Sequence, residues 1–160
     1  MSLRTVLVSS FVALLLPLAV SAHAVVKPSE VGVGSFQTFT LGVPVEKDSA
    51  TIAVRLIVPE GMEHVTPNVK PGWRIEKKMA GERVSEILWT GGRIDAGMRD
   101  EFLFSAKVPP VESKLAWKVY QTYTDGTVAW DADPSIEQPK DAEGKSDFSK
   151  QGPFSVTKVI

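Results

Sequence analysis

His23 is the residue of this sequence with the clearest capacity for metal chemistry. It lies in "LAVSAHAVVKPSE", residues 18–30, at the end of an apolar N-terminal segment. If the chain is cut after Ala22, His23 becomes the first residue, and its α-amine and ring Nδ1 together close a six-membered chelate on a metal ion. Two nitrogen donors with added oxygen suit Cu(II), which heads the affinity order of divalent metals and prefers tetragonal ligation. Such a site depends on where the chain is cut.

Two cleavage positions satisfy the rule that small residues precede a signal-peptide cut. The triplet Val20-Ser21-Ala22 directs the cut before His23, whereas Ala22-His23-Ala24 directs it before Val25 and removes the histidine. The second triplet is the more literal match to A-x-A, but it places an imidazole between the two alanines. The cleavage rule alone leaves both positions open.

Residues 1–22 have the features of a secretory signal peptide. Arg4 supplies the positive N-terminal region, residues 6–16 supply the apolar core, and Pro17 breaks the helix before the cleavage region. The apolar run is shorter than the roughly 20 residues that a membrane-spanning helix needs, and no second run of that length follows. We therefore expect an exported protein, periplasmic or secreted, with no membrane anchor of its own.

Few other residues could carry chemistry. The sequence contains two histidines, His23 and His64, and no cysteine, which excludes three-imidazole zinc centres, thiolate metal sites and cysteine nucleophiles. His64 lies in the turn-rich stretch "PEGMEHVTPN" and is interpreted as a polar surface residue. The formal net charge of −1, with both signs interspersed, argues against a nucleic-acid partner, which would require a clustered basic surface.

Short alternating runs of aromatic and β-branched residues, separated by turn residues, predict an all-β fold for the rest of the chain. One face of "TIAVRLIV" carries the apolar residues Ile52, Val54, Leu56 and Val58. Seven or more short strands at this spacing predict a two-sheet, immunoglobulin-like β-sandwich. The candidate strands are near residues 24–27, 35–45, 51–58, 73–79, 83–90, 100–107, 115–123, 127–130 and 153–159.

Residues 131–151 differ from the rest of the chain. They are polar, rich in Asp, Pro, Lys and Ser, and contain almost no residues suited to a core. We interpret them as a long surface loop, followed by a closing strand in "PFSVTKVI". Residues 23–160 are then expected to form one domain.

Several longer stretches resemble the YcnI-like family of secreted copper-binding domains, long catalogued as a domain of unknown function. The similar stretches are "HAVVKPSEVGVGSFQTFTLGVPVEKDSATIAVRLIVPEG", "VKPGWRIE", "ILWTGGRIDAGMRDEFLFSAKVP" and "LAWKVYQTYTDGTVAWD". The resemblance covers roughly residues 23–133, and it is specific because several segments match in order and spacing. Relatives often carry a C-terminal membrane helix or a cysteine-bearing extension, whereas this sequence ends at "VTKVI". We therefore expect a soluble periplasmic protein.

The resemblance implies a β-sandwich that binds one Cu(II) ion through a one-histidine version of the histidine brace. In this arrangement the amine and ring nitrogen come from His23, which favours cleavage after Ala22, and Trp130 in "TVAWD" lies close to the metal. The indole could shield the site from solvent or interact with the cation through its π face. The implied function is copper buffering or trafficking in the cell envelope, with a membrane copper transporter or another periplasmic copper protein as a partner.

The acidic ligand that the resemblance implies is open among several residues. Glu101 in "RDEFLF" is our first choice, because on an alternating strand it shares a face with Leu103 and opposes Phe102 and Phe104. If the Leu103 side faces the core, Glu101 is an inward carboxylate that needs a partner such as a metal. If the phenylalanines face the core, Glu101 lies outside. The competing donors are Glu30, Asp100 and Asp131.

Two other functions remain open from the sequence. Histidine braces also occur in copper oxygenases that attack polysaccharides, but these use a second histidine, for which His64 is the candidate here. A metal-free adhesion or scaffold domain becomes the better interpretation if the mature chain begins at Val25. Scattered Met62, Met79 and Met98 argue against a dedicated Cu(I) site, because soft sulfur ligands select Cu(I).

Overall fold

The strands of the computed structural model begin two residues after His23. The structure describes residues 23–160, so the predicted signal peptide and its cleavage position lie outside the described residues. The strands in this part of the chain are β1 (Val25–Lys27), β2 (Glu30–Val31), β3 (Phe36–Pro44), β4 (Thr51–Ile57), β5 (Glu63–Pro67), β6 (Arg74–Ala80), β7 (Arg83–Ile94), β8 (Arg99–Lys107), β9 (Ser113–Trp117), β10 (Val119–Tyr123), β11 (Gly126–Ala132), β12 (Gln151–Pro153) and β13 (Ser155–Val159).

The strands form three sheets. A four-stranded sheet has the order β1-β3-β8-β5, a six-stranded sheet the order β12-β11-β10-β4-β7-β6, and a three-stranded sheet the order β2-β13-β9. The first two sheets face each other, since Phe102 of β8 packs against Trp89 of β7 with ring centroids 5.1 Å apart. The predicted all-β, immunoglobulin-like sandwich is therefore confirmed. Within residues 23–160 the structure has no helix with the length and hydropathy of a membrane span.

Strict alternation places the core between these sheets. From Phe39 on β3 and from Phe102 on β8 every second side chain is buried, and Phe39 stacks on Phe104 of β8 at 5.3 Å. Trp117 of β9, a strand of the three-stranded sheet, packs against both rings. Burial of these large aromatic surfaces is the main source of stability in a chain without cysteine.

The predicted apolar face of β4 is wrong at one position. Val54, Leu56 and Val58 are buried as expected, but Ile52 is 37% exposed and Thr51 is buried in its place. The register between β4 and β7 shifts between Thr51 and Ala53. Such a bulge inserts one residue and reverses the alternation beyond it, which the residue pattern alone does not show.

The prediction also merged or missed some strands. The strand expected over 115–123 divides at Lys118: the first half pairs with β13 and the second with β4 and β11. Strand β5 was missed because its sequence has turn character, and His64 within it has a φ of 53°, which a side-chain-bearing residue rarely adopts. Strands β2 and β12 are only two and three residues long.

Residues 133–150, within the polar segment 131–151, connect β11 to β12, and we call them the strap. An isolated bridge between Lys140 and Ser146 and several aspartate-capped turns hold it together. Most of its residues are exposed, but Phe148 packs against the hydrophobic core. The strap therefore has a contact with the fold that its overall polarity does not indicate.

Two phenylalanines of β3 test this assignment of the core. Phe39→Ala should lower the free energy of unfolding by about 3–5 kcal/mol, because it leaves a cavity among buried rings. Phe36→Ala, on the same strand but at a side chain that is 67% exposed, should cost no more than about 1 kcal/mol. Urea unfolding of residues 23–160, followed by tryptophan fluorescence, measures both values. Equal losses in the two variants would contradict the assignment.

Candidate metal centre

His23 lies at the edge of the sandwich where the two large sheets meet. It directly precedes Ala24 and β1, which is the edge strand of the four-stranded sheet. Its ring contacts Trp130, with centroids 5.6 Å apart at 79°, and Phe148, with centroids 5.0 Å apart at 62°. Trp130 belongs to β11, next to the edge of the six-stranded sheet. The imidazole is thus partly buried in an aromatic environment, and the structure brings His23 and Trp130 together.

A buried hydrogen-bond chain fixes the indole of Trp130. The ring is only 3% exposed, and its Nε1 donates to Oε1 of Gln121 on the neighbouring strand β10 at 3.0 Å. Nε2 of Gln121 in turn donates to Oγ1 of Thr51 at 2.8 Å and to the carbonyl of Pro44 at 2.9 Å. Since every polar atom of this buried amide is paired, turning the indole would leave a buried group without a partner. The tryptophan is therefore a rigid wall of the site.

Glycine at position 152 is required by the same tryptophan. Gly152 of β12 pairs with Trp130 in parallel register. A Cβ at this position would lie 2.3 Å from Cζ3 of Trp130 and 3.3 Å from Cδ1 of Phe148. The indole thus occupies the space that a side chain on β12 would need, and the strap re-enters the sheet directly beside it.

Glu46 is the acidic residue whose charge acts on His23. Burial lowers the pKa of the His23 imidazole, and the negative charge of Glu46 opposes this shift by raising it. Glu46 lies two residues after the end of β3, and β3 pairs with β1 so that Gly42 lies opposite Val25. This pairing carries the end of β3 toward His23. Glu46 was not among the predicted ligands, because its proximity to His23 depends on this register.

Glu101 points outward, because the phenylalanines of β8 face the core. Its side chain is 49% exposed and forms an ion pair with Arg99 at 3.1 Å. The alternative of an inward carboxylate on this strand is therefore wrong. Glu101 nevertheless lines a shallow cleft of about 250 Å³ together with His23, Val25 and Gly42, so its assignment as the acidic ligand stays a prediction.

The three competing acidic residues have other surroundings, and two of them are already paired. Asp100 forms an ion pair with Lys70 at 2.8 Å. Glu30 is exposed on β2, in the three-stranded sheet. Asp131 follows Trp130 but points to the other side of β11, where its carboxylate accepts hydrogen bonds from the hydroxyl of Tyr120 at 3.0 Å and from Nε2 of Gln151 at 2.8 Å.

The donor set fits a brace and does not fit a site built from side chains alone. In the described part of the chain, no group of three or more His, Asp or Glu side chains is arranged to hold a metal ion. A one-histidine brace needs only one imidazole, the amine of the same residue and one carboxylate. His23, with Glu46 or Glu101, would supply such a set if the amine were free, and burial of the imidazole favours the neutral form that binds metals.

His64 lies far from His23. Its ring contacts that of Phe36 at 5.8 Å, at the first residue of β3, whereas His23 lies near the other end of this strand. Nine residues of extended strand span roughly 26 Å between the first and last Cα atoms. The structure does not bring the two histidines into one site, so a brace with two histidines is not formed.

Comparisons with known proteins agree with this architecture. The crystal structure of an uncharacterized protein from Nocardia farcinica, described as having an immunoglobulin-like fold, superposes with a TM-score of 0.68 at 21% identity, over 86% of this chain and 98% of that chain. A cohesin module from a family 33 glycoside hydrolase of Clostridium perfringens superposes with a TM-score of 0.52 at 15% identity, over 85% and 94%. At these identities the likeness concerns the fold.

The comparisons of sequence are more specific than the comparisons of structure. The copper-binding protein CutI of Bacillus subtilis (strain 168) is 35% identical over 122 residues, which are 74% of this chain and 60% of that protein. The chain thus spans somewhat less than two thirds of its relative. The model of the family described as "Domain of unknown function (DUF1775)" matches residues 23–149, beginning at the histidine of the candidate site. The predicted family resemblance is therefore confirmed: this chain belongs to the DUF1775 family of YcnI-like domains.

Proposed function

We propose that this chain is an exported protein that binds one Cu(II) ion at His23 and buffers copper or passes it to another envelope protein. The observation that carries the proposal is the contact of His23 with both Trp130 and Phe148 at the start of the fold. The relative named a copper-binding protein supports the choice of metal. Cleavage after Ala22 would free the amine that the chelate requires.

Each surrounding residue has a part in this function. The imidazole and amine of His23 supply two nitrogen donors, which suit Cu(II) better than the softer Cu(I). Trp130 keeps water from one side of the imidazole and is held in place by Gln121. We propose Glu46 as the oxygen donor, because it follows the end of β3 that pairing with β1 carries toward His23. Glu101, already paired with Arg99 in the adjoining cleft, is the second choice.

A carrier accounts for this geometry better than an oxidative enzyme does. The second histidine of an oxygenase-type brace would have to be His64, which lies near the opposite end of β3. A shallow cleft beside His23, lined in part by Arg99 and Glu101, offers little enclosure for a polymeric substrate. It does leave the site accessible to a partner that receives the metal, such as a membrane copper transporter or another periplasmic copper protein.

The position of the N-terminus is the first test. Intact mass of the protein recovered after export should correspond to a chain that begins at His23. A mass lower by the residues His23 and Ala24 would show that the chain begins at Val25. That result would remove the chelate and leave a scaffold or adhesion function as the better interpretation.

Removal of either nitrogen donor should abolish tight binding. His23→Ala, and the unaltered chain acetylated at its α-amine, should each weaken Cu(II) affinity by at least about a hundredfold, because each change removes a ligand from the metal. Competition with a chelator of known affinity gives the dissociation constants, and electron paramagnetic resonance shows the nitrogen ligands. His64→Ala is the matched control and should bind as the unaltered protein does. Tight binding that survives both changes at the N-terminus would refute the proposal.

The acidic ligand can be assigned with two isosteric substitutions. Glu46→Gln should weaken Cu(II) binding by about tenfold or more, since it removes a charged oxygen donor while keeping the shape of the side chain. Glu101→Gln should change the affinity by less than about threefold, since its carboxylate is exposed and paired with Arg99. The same competition with a chelator measures the dissociation constants of both variants. The opposite ranking would assign the oxygen donor to Glu101, as the sequence predicted.

A further inference from the structure

We propose that Phe148, and the strap that carries it, control the rate at which copper enters and leaves the site at His23. This inference rests on the proposed function and adds a kinetic role for a segment of the chain that binds no metal itself. It starts from the edge contact of Phe148 with the imidazole, whose centroids are 5.0 Å apart. Phe148 also lies 6.1 Å from the ring of Trp130, so the three rings contact one another and the two aromatic rings cover adjoining sides of the histidine.

The strap is built to move without unfolding the sandwich. Many of its hydrogen bonds join residues of the strap to one another. The amide of Asp147 donates to the carbonyl of Pro139 at 2.8 Å, and the amide of Asp141 donates to the carbonyl of Lys145 at 2.7 Å. At its C-terminal end, the carbonyl of Lys150 accepts a hydrogen bond from the sheet. A segment with exposed hydrogen bonds and few buried apolar contacts opens at low free-energy cost.

Phe148 is the side chain through which the strap reaches the metal site. It packs against the hydrophobic core, whereas Ile136, the other large apolar residue of the strap, is 65% exposed. A phenyl ring has no donor atom for a metal, so its contribution is to exclude water and incoming ligands from the imidazole. Lifting Phe148 away from His23 would expose the imidazole while β1 and Trp130 stay in place.

In this arrangement, different residues set the rate of copper exchange and the affinity for copper. The proposed metal ligands, which set the affinity, are the N-terminal residue and a carboxylate, and both lie outside the strap. Ligand exchange, in contrast, requires the contact between Phe148 and His23 to be broken, so that contact raises the barrier to exchange. A partner that takes the metal must bring its own ligand to the copper before His23 is released. Displacement of the strap on docking would then allow transfer, and the closed strap would slow loss of copper to free chelators.

The kinetic test uses protein that begins at His23 and carries one equivalent of Cu(II). Phe148→Ala should speed both removal of copper by excess EDTA and loading of the metal-free protein by about tenfold, the factor expected for loss of an aromatic contact. The equilibrium affinity should change by much less, because both rates rise. Phe148→Leu should restore slow exchange in part, and Ile136→Ala is the matched control that should leave it unchanged. Unchanged rates in Phe148→Ala, or faster removal explained wholly by weaker affinity, would overturn the proposal.

A second measurement needs no copper. In the metal-free protein, a neutral gadolinium chelate in the solvent should relax the ring protons of His23 more strongly in Phe148→Ala than in the unaltered chain, with the exposed His64 ring as internal reference. Ile136→Ala should show no such increase. Equal relaxation at His23 in all three proteins would overturn the covering role of Phe148. If the unaltered protein failed to bind copper, the proposed function would fail, whereas this measurement would still decide whether the strap covers the histidine.

Discussion

The buried amide of Gln121 is the interaction on which the candidate site depends. Burying a primary amide in a β-sandwich is costly unless its oxygen and nitrogen are both paired. Here its nitrogen is held by Thr51 and by the carbonyl of Pro44, and its oxygen accepts the indole N–H of Trp130. One side chain therefore joins the end of β3 and the start of β4 to β11. Replacing it with an apolar residue of similar size would leave the indole N–H without a partner and free the ring to turn.

This constraint explains how residues far apart in sequence meet at one point. With Trp130 held rigidly, the end of β3 lies close to β11, and pairing of β1 with β3 brings His23 to the same place. The strap then returns to the sheet through β12, where Gly152 leaves room for the indole and Phe148 reaches the histidine. The two segments that carry His23 and Glu46, and the two aromatic rings, are thus positioned by the backbone pairing of a sandwich. The sandwich itself is shared with proteins of unrelated description, so the chemistry resides in this edge and not in the fold.

The fold could be predicted largely from alternation, whereas the site could be predicted only in part. Long strands such as β3 and β8 alternate buried and partly exposed positions over their last six residues, and this periodicity is local information. A bulge reverses it at Ile52 without any local signal, because the register is set by the neighbouring strand. His23 was predicted as a candidate ligand from its place at the cleavage region and Trp130 from the family resemblance, and the structure brings the two rings into contact. Glu46 and Phe148 were not predicted, since one lies in a turn and the other in a polar loop, and both reach His23 through tertiary structure.

The electrostatics of His23 show why an aromatic environment and a nearby carboxylate occur together. Burial lowers the pKa of the imidazole and so favours the neutral ring, which is the form that can bind a metal. The charge of Glu46 acts in the opposite direction, since it stabilises the protonated ring as well as any bound cation. A carboxylate beside an exposed histidine would therefore strengthen competition from protons. Packing against Trp130 and Phe148 offsets this effect, because desolvation penalises the imidazolium and so favours the neutral ring that the proposed copper site would need.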